Sequence, residues 1–309
     1  MLKWFTKYLC IIRNFLKKML RIKDTTAYSL RDIIKGEITH SLSLQFNSDY
    51  NIESRIHEYR KAIKRCRALL WLFKQCIDES DYEHLDNKFS VTAGEMSERR
   101  DATVNLRTFL NLTQFNSTFL PDDIRHQIAG TLTDRVDKAY SDSENGPVKT
   151  EAFLLDSLKE IWNDLNSLDI KFCTHDNLLN AIGKTHFKTA QLYYDSRNTL
   201  DTEIIHKWRK FAKRLLLQLK FTPDINRLLL NPIITKLDKI TNLLGRDHDL
   251  AVLENMLREN FNLSKEIIQK IYLVITKERA KLQKETFQLG EELFSENKVI
   301  NFSIQSFVC

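Results

Sequence analysis

The sequence predicts an all-α chain built by duplicating a unit of roughly four helices. Three observations carry that expectation. Gly (7) and Pro (4) are scarce among 309 residues, and strict strand alternation is hard to find, so helical periods run with little interruption. Hydrophobic residues make up 42% of the chain, enough to bury a core and to argue against wholesale disorder. The third observation is an echo. Residues 56–73 begin Ile-His-Glu-Tyr-Arg-Lys-Ala-Ile-Lys-Arg, and 205–217 begin Ile-His-Lys-Trp-Arg-Lys-Phe-Ala-Lys-Arg. Both carry His-x-x-Arg-Lys-x-x-Lys-Arg in the same phase, and an offset near half the length favours two similar halves.

Taken in order, residues 1–25 form a basic amphipathic extension in which Trp4, Phe5, Ile11, Phe15 and Leu20 alternate with Lys and Arg. Their longest apolar run, Tyr8–Ile12, is too short for a signal core or a membrane span. Residues 1–23 read either as a helix packed on the body or as a weak membrane-surface contact. A helix over 28–46 has Leu30, Ile33, Ile34, Ile38, Leu42 and Phe46 as its expected buried stripe. The turn Asn47–Asn51 leads into the first cationic helix, about 52–78. There Ile56, Tyr59, Ala62, Ile63, Cys66, Leu70 and Phe73 fall on one side at 100° per residue, opposite His57, Arg60, Lys61, Lys64, Arg65 and Arg67.

A long helix over 82–111, bent near Gly94, comes next, and Pro121 opens another that runs to about Tyr140. Asp122 and Asp123 suit its N-terminal dipole. Ser141–Pro147 is the clearest linker, and the helix over 149–168 either finishes the first half or opens the second. A helix over 176–198 carries Lys184, His186, Lys188 and Arg197. The second cationic helix, 202–220, sets Ile205, Trp208, Ala212, Leu215 and Leu219 against His206, Arg209, Lys210, Lys213 and Arg214. Pro223 ends it. Helices over 232–260 and 264–295 follow, and residues 297–309 read as a loose tail. The echo extends further. Lys35 precedes His57 by the same interval as Lys184 precedes His206, and Gly94…Asp101 is matched by Gly245…Asp249.

The net charge of +6 is modest, so clustering on two helices matters more than the total. Rows of Arg, Lys and His at helical spacing, nearly free of acids, suit a phosphate-rich polyanion. Arg gives bidentate contacts, Lys a point charge, and His a titratable donor. The bland alternative is a solvated charged face. Five cysteines with no CxxC spacing suit free thiols in a reducing compartment rather than a disulfide frame or a zinc site.

Glu37-x-x-His40 with Glu203-x-x-His206 superficially matches a di-iron bundle. The repeat aligns His206 with His57 instead, so no metal site and no cofactor is expected. No Walker loop, Gly-x-Gly-x-x-Gly or Gly-x-Ser-x-Gly is present, leaving nucleotide hydrolysis and acyl transfer unsupported. Asp101 and Asp249 read most simply as structural acid partners of neighbouring arginines, with a catalytic acid as the alternative. No familiar nucleic-acid module appears, although a basic groove admits RNA or DNA as a competing ligand.

These residues are similar to the CHAD family, the conserved histidine α-helical domains. That family's pattern has His-x-x-Arg-x-x-x-[Lys/Arg]-Arg-x-Arg in the first half and His-Lys-x-Arg-Lys-x-x-Lys-Arg in the second. Each is followed by a Gly-containing helix ending in Arg-Asp or Asn-Asp. Glu98-Arg99-Arg100-Asp101-Ala102 and Leu244-Gly245-Arg246-Asp247-His248-Asp249-Leu250 stand in those places.

The match covers roughly 28–292, with halves at about 28–145 and 149–292. It implies two pseudo-symmetric four-helix bundles facing across a basic groove or pore, with inorganic polyphosphate as ligand. Residue by residue, it assigns the lining to His57, Arg60, Lys61, Lys64, Arg65, Arg67 and Arg100, then to His206, Arg209, Lys210, Lys213 and Arg214. Lys184 and Lys188 match basic positions on the preceding helix. Two departures stand out: Leu216 fills the slot equivalent to Arg67, and His248 replaces a small or polar residue beside Asp249. No Glu-x-Glu-x-Lys strand of the frequent triphosphate-processing fusion partner occurs. The expectation is a non-catalytic, cytoplasmic protein recruited to or organising polyphosphate granules.

Overall fold

The computed structural model describes residues 26–95, 97–115, 119–141, 146–170, 175–221, 227–261 and 263–295. The expected N-terminal extension and C-terminal tail lie outside them, as does the membrane-contact reading of residues 1–23. Among the described residues the chain is all-helical, with no strand. The helices are α1 (Thr26–Ser43), α2 (Ile52–Phe73), α3 (Glu79–Gly94), α4 (Ser97–Phe115), α5 (Asp122–Ser141), α6 (Pro147–Ser167), α7 (His175–Thr199), α8 (Thr202–Phe221), α9 (Arg227–Asn260) and α10 (Lys265–Phe294). No helix among them is long and apolar enough to cross a membrane.

Most expected helices are present, with instructive differences at their ends. The single helix expected over 82–111 is two, α3 and α4, separated after Gly94. Phe46, expected in the buried stripe, is 84% exposed. Residues Leu44–Phe46 wind as a 3-10 turn, and its tighter rotation carries Phe46 off the face that buries Ile34 and Ile38. Pro232 lies inside α9 rather than at its start.

Both cationic helices begin at side-chain caps. The Asn51 carboxamide oxygen accepts from Ser54 N at 2.8 Å, and Asp201 Oδ1 accepts from Ile204 N at 2.9 Å. Each cap satisfies a backbone donor that the helix leaves open, a contribution of about 1 kcal/mol. Between α7 and α8 the chain reverses through Leu200, whose φ of 53° puts a non-glycine residue in the left-handed region.

Burial follows the amphipathic reading. Tyr59, Ala62, Ile63, Cys66 and Leu70 of α2 are buried, as are Ile205, Trp208, Ala212, Leu215 and Leu219 of α8. Leu216, in the slot equivalent to Arg67, is fully buried as well. The two helices pack against each other, and the buried Gln218 amide of α8 donates to Ala68 O of α2 at 3.2 Å.

Two hydrophobic cores result, and each draws on both halves of the sequence. The larger joins α1, α2, α3, α6, α7 and α8 to the start of α9 and the end of α10. The smaller joins α4 and α5 to the rest of α9 and α10 through Phe109, Leu112, Ile128, Leu253 and Ile275. The helix α6 packs on α1, α2 and α3. Its Glu151 accepts from Arg55 Nε and Nη2 at 2.5 and 2.7 Å and from Tyr59 Oη at 3.0 Å, tying α6 to α2.

The cysteines depart from expectation. Cys66 is a buried free thiol, but Cys76 is disulfide-bonded. Cys76 is therefore not the free thiol expected, because spacing along the chain does not report pairing in space.

Candidate anion-binding site

The apolar faces of α2 and α8 pack inward, so their polar faces turn toward α4 and α9. His57, Arg60, Lys61, Lys64, Arg100 and Arg107 line a cleft of about 420 Å³ between α2 and α4, closed by Tyr140 and Thr150. Five of these side chains are cationic, and Glu53 is the one carboxylate on the lining. Lys61 Nζ is 2.7 Å from Glu58 Oε1 on the same helix, an exposed pair of small worth.

Electrostatics show that cations from three helices converge here. Burial pushes Lys64 down to about 8, and Arg60, Arg100, Arg209 and Lys213 add to the shift. Arg60 is lowered by burial and then by Arg100. Arg209 on α8 is lowered by burial, with Asp249 opposing and Arg100 adding. Lys213 is lowered by burial and by Lys220 and Arg209, against Asp238. Partly desolvated like charges raise one another's cost, and an incoming polyanion removes that cost.

Acids at the edge hold the guanidinium groups in place. Arg100 Nη1 is 3.1 Å from Asp101 Oδ1, and its Nη2 is 3.7 Å from Asp249 Oδ1 across the α4–α9 interface. The Asp249 carboxyl is held above its ordinary value by burial, against Arg100, Arg209 and Arg107. Beside it the His248 ring lies 4.1 Å from that of His206, centroid to centroid. His57 and His206 are both lowered, first by burial and then by lysines of their own helix.

The expected lining residues separate into groups. Arg65 turns to α1 and pairs with Glu37 at 2.6 Å, with its guanidinium over the Phe221 ring. That also commits the Glu37 of the metal-like motif, and no group of three potential ligands occurs among the described residues. Arg67 forms a two-point pair with Asp86 of α3 at 3.0 and 3.1 Å. Arg214 stacks on Trp71 at 4.2 Å and on Phe211 at 4.8 Å. Lys188 donates to Gln191 Oε1 on its own helix, Lys184 is exposed, and neither lines the cleft.

One lining residue and one buried acid that supports α8 and α9 are not singled out by the sequence. Arg107 sits two helical turns beyond Arg100 on the same face of α4, a spacing that was readable. Asp247 is 2% exposed and accepts from Arg279 Nε at 3.0 Å and Gln283 Nε2 at 2.9 Å. Arg279 Nη2 also donates to Thr202 Oγ1 at 3.1 Å, fixing the start of α8 against α9 and α10. No local pattern foretells that network, since its members come from three helices.

Comparison with known proteins fits this architecture. No curated protein matches the chain. Among solved structures, PptA from Streptomyces chartreusis superposes with a TM-score of 0.61 over 86% of this chain and 99% of that one, at 11% identity. At that identity the likeness is one of fold. The CHAD domain model matches residues 48–258, which contain both cationic helices and the α4 and α9 segments around Arg100 and Asp249, and the chain belongs to the CHAD domain family.

Proposed function

We propose that the protein binds inorganic polyphosphate along the cleft between α2 and α4 and the neighbouring cations of α8, and that it recruits or organises the polymer without chemistry of its own. The observation that carries this reading is Lys64, whose ammonium is depressed by burial and by cations of three helices. A linear polymer of phosphates supplies repeated negative charge along such a surface, where a single anion leaves most of it unsatisfied. The CHAD family's association with polyphosphate binding supports the same ligand. In this reading Arg60, Lys64, Arg100 and Arg209 grip the chain, and His57, Lys61, His206, Lys210 and Lys213 extend the field at its margins. The setting we propose is cytoplasmic, at polyphosphate stores.

Calorimetric titration of long-chain polyphosphate at two salt concentrations tests it. Wild type should bind with affinity that falls steeply with salt, by analogy with the slope of about 0.7–0.9 per phosphate contact in nucleic acids. Arg60→Ala/Arg209→Ala should weaken binding roughly 100-fold or more, since each charge-assisted contact contributes about 1.5–3 kcal/mol. Equal affinity in wild type and double variant moves the ligand elsewhere. RNA that displaces polyphosphate at matched charge makes the cleft a nucleic-acid site.

One observation favours a second, catalytic reading: the raised Asp249 carboxyl beside Arg100 resembles a poised acid. Release of orthophosphate from the polymer, lost in Asp249→Asn, is the result that establishes it.

A further inference from the structure

A second and larger cleft, about 750 Å³, adjoins the first further along α4, between α4, α9 and α10. Its construction differs from that of the first. The floor is apolar, formed by Leu112, Leu250 and Leu282, all members of the smaller core. Above it stand two guanidinium groups from different helices, Arg107 of α4 and Arg246 of α9. No described residue forms a hydrogen bond or ion pair with either, in contrast to Arg65 and Arg67. Lys281 on the rim is neutralised by Glu278 at 2.6 Å, and the half-buried Asp249 on the lining pairs with Arg100 at 3.7 Å and also feels Arg107. Arg107 and Arg246 are thus left over the apolar floor without a direct hydrogen bond or ion pair to a described residue.

A polymer of phosphates has no use for the leucine floor. We infer that this cleft binds a nucleoside phosphate, with its phosphate groups on Arg107 and Arg246 and its base over the leucines. Thr108 and Asn111, on the α4 wall, face the same space and supply hydrogen-bonding groups for the sugar or base edge, which an acyl chain does not require. The volume falls within the roughly 300–1,000 Å³ of small-molecule sites, and convergent polar groups over an apolar surface are their usual chemistry. Arg107 lines both clefts, so a ligand in the second draws on a cation that the first also uses.

The site stands apart from the polyphosphate reading, and the test keeps the two separate. Fluorescent N-methylanthraniloyl-ADP is titrated into the full chain, then displaced with unlabelled ADP, inorganic pyrophosphate or lysophosphatidate. ADP should displace the probe at concentrations about tenfold or more below those needed with pyrophosphate, a difference of about 1.4 kcal/mol for the nucleoside. The exposed Arg246 provides the variant least costly to folding. Arg246→Glu should weaken probe binding about tenfold or more and leave polyphosphate affinity within about twofold.

Arg60→Ala/Arg209→Ala should do the reverse. Loss of polyphosphate binding in wild type with the ADP site intact overturns only the first reading. Absence of saturable probe binding, equal displacement by ADP and pyrophosphate, displacement by lysophosphatidate alone, or an Arg246→Glu variant that binds the probe like wild type overturns the nucleotide site.

Discussion

The rings of His206 and His248 lie 4.1 Å apart and are tilted by only 32°, one from each of the two helices that carry the second half's motif residues. Neither ring accommodates a proton easily. His248 is pushed down to about 3 by burial, then by His206, Arg209, Arg100 and Lys210. His206 Nδ1 is buried without a protein hydrogen-bond partner, and His206 is lowered by burial, Lys210 and Arg209 against Glu203. Because the folded pKa values lie below the ordinary value of about 6.5, the unfolded chain takes up protons first as pH falls. Stability should therefore decline as pH drops from about 6.5 toward 3. His248→Asn should flatten that decline, as read by thermal melts across the pH series.

The same site gives binding a pH dependence on the alkaline side. Lys64 is pushed down to about 8 in the ligand-free protein, and a bound polyanion raises it again. The bound form thus holds more protons, and polyphosphate affinity should weaken as pH rises through about 8. Lys64→Arg keeps its charge throughout that range and should abolish the dependence. Titrations in buffers of different ionisation enthalpy should report proton uptake in wild type near pH 8 that the variant lacks.

Arginines assigned alike from sequence should behave differently when removed. Arg65→Ala leaves Glu37 unpaired at a half-buried interface between α1 and α2, and Arg67→Ala does the same to Asp86. Both should lower the melting temperature and leave polyphosphate affinity within about twofold, because the pairing point lies away from the cleft. Arg60→Ala should show the opposite pattern. Chemical denaturation and calorimetry on the same preparations separate the two effects.

Glu151 is the strongest candidate for a purely structural acid. It is 9% exposed, accepts from both Arg55 and Tyr59, and is lowered by the Arg55 hydrogen bond against burial. Glu151→Ala strands Arg55 at the α2–α6 interface and should cost about 3 kcal/mol in denaturant unfolding. The carboxyl is held below its ordinary value, so its contribution is present above about pH 4.5 and fades as pH falls through the lowered value.

Gly290 of α10 meets the aromatic cluster that joins α7, α8 and α10. A Cβ there would lie 2.5 Å from Tyr193 Cε2 and 3.4 Å from Trp208 Cζ2, and both rings are fully buried. Trp208 in turn stacks on Phe287 at 5.7 Å. Helix propensity favours alanine by about 1 kcal/mol, but the rings have no room to retreat. Gly290→Ala should therefore destabilise by about 1–3 kcal/mol, seen as a lower melting temperature.

Much of this molecule was legible in the sequence, for local reasons. The periodicity that placed Tyr59 and Trp208 on apolar faces is a property of one helix at a time, and both residues are fully buried. The His-x-x-Arg-Lys-x-x-Lys-Arg pattern located the two helices whose charges meet at Lys64. What escaped was partnership. Glu37 and Asp86 lie on other helices from the arginines they engage, so a cationic face that reads as uniform is divided by neighbours outside the motif. Phe46 escaped because one tight turn rotates it off its stripe, and Cys76 because cysteine spacing says nothing about distant pairing.

By itself the sequence determined the helical class, the two amphipathic cationic faces and the family, since each is encoded in the spacing of residues along one stretch of chain. Tertiary structure alone decided which cations stay open to a ligand, how the two cores divide the helices, and where the second cleft lies. Those outcomes depend on which side chains from distant helices meet, and burial there raises the cost of every charge left without a partner.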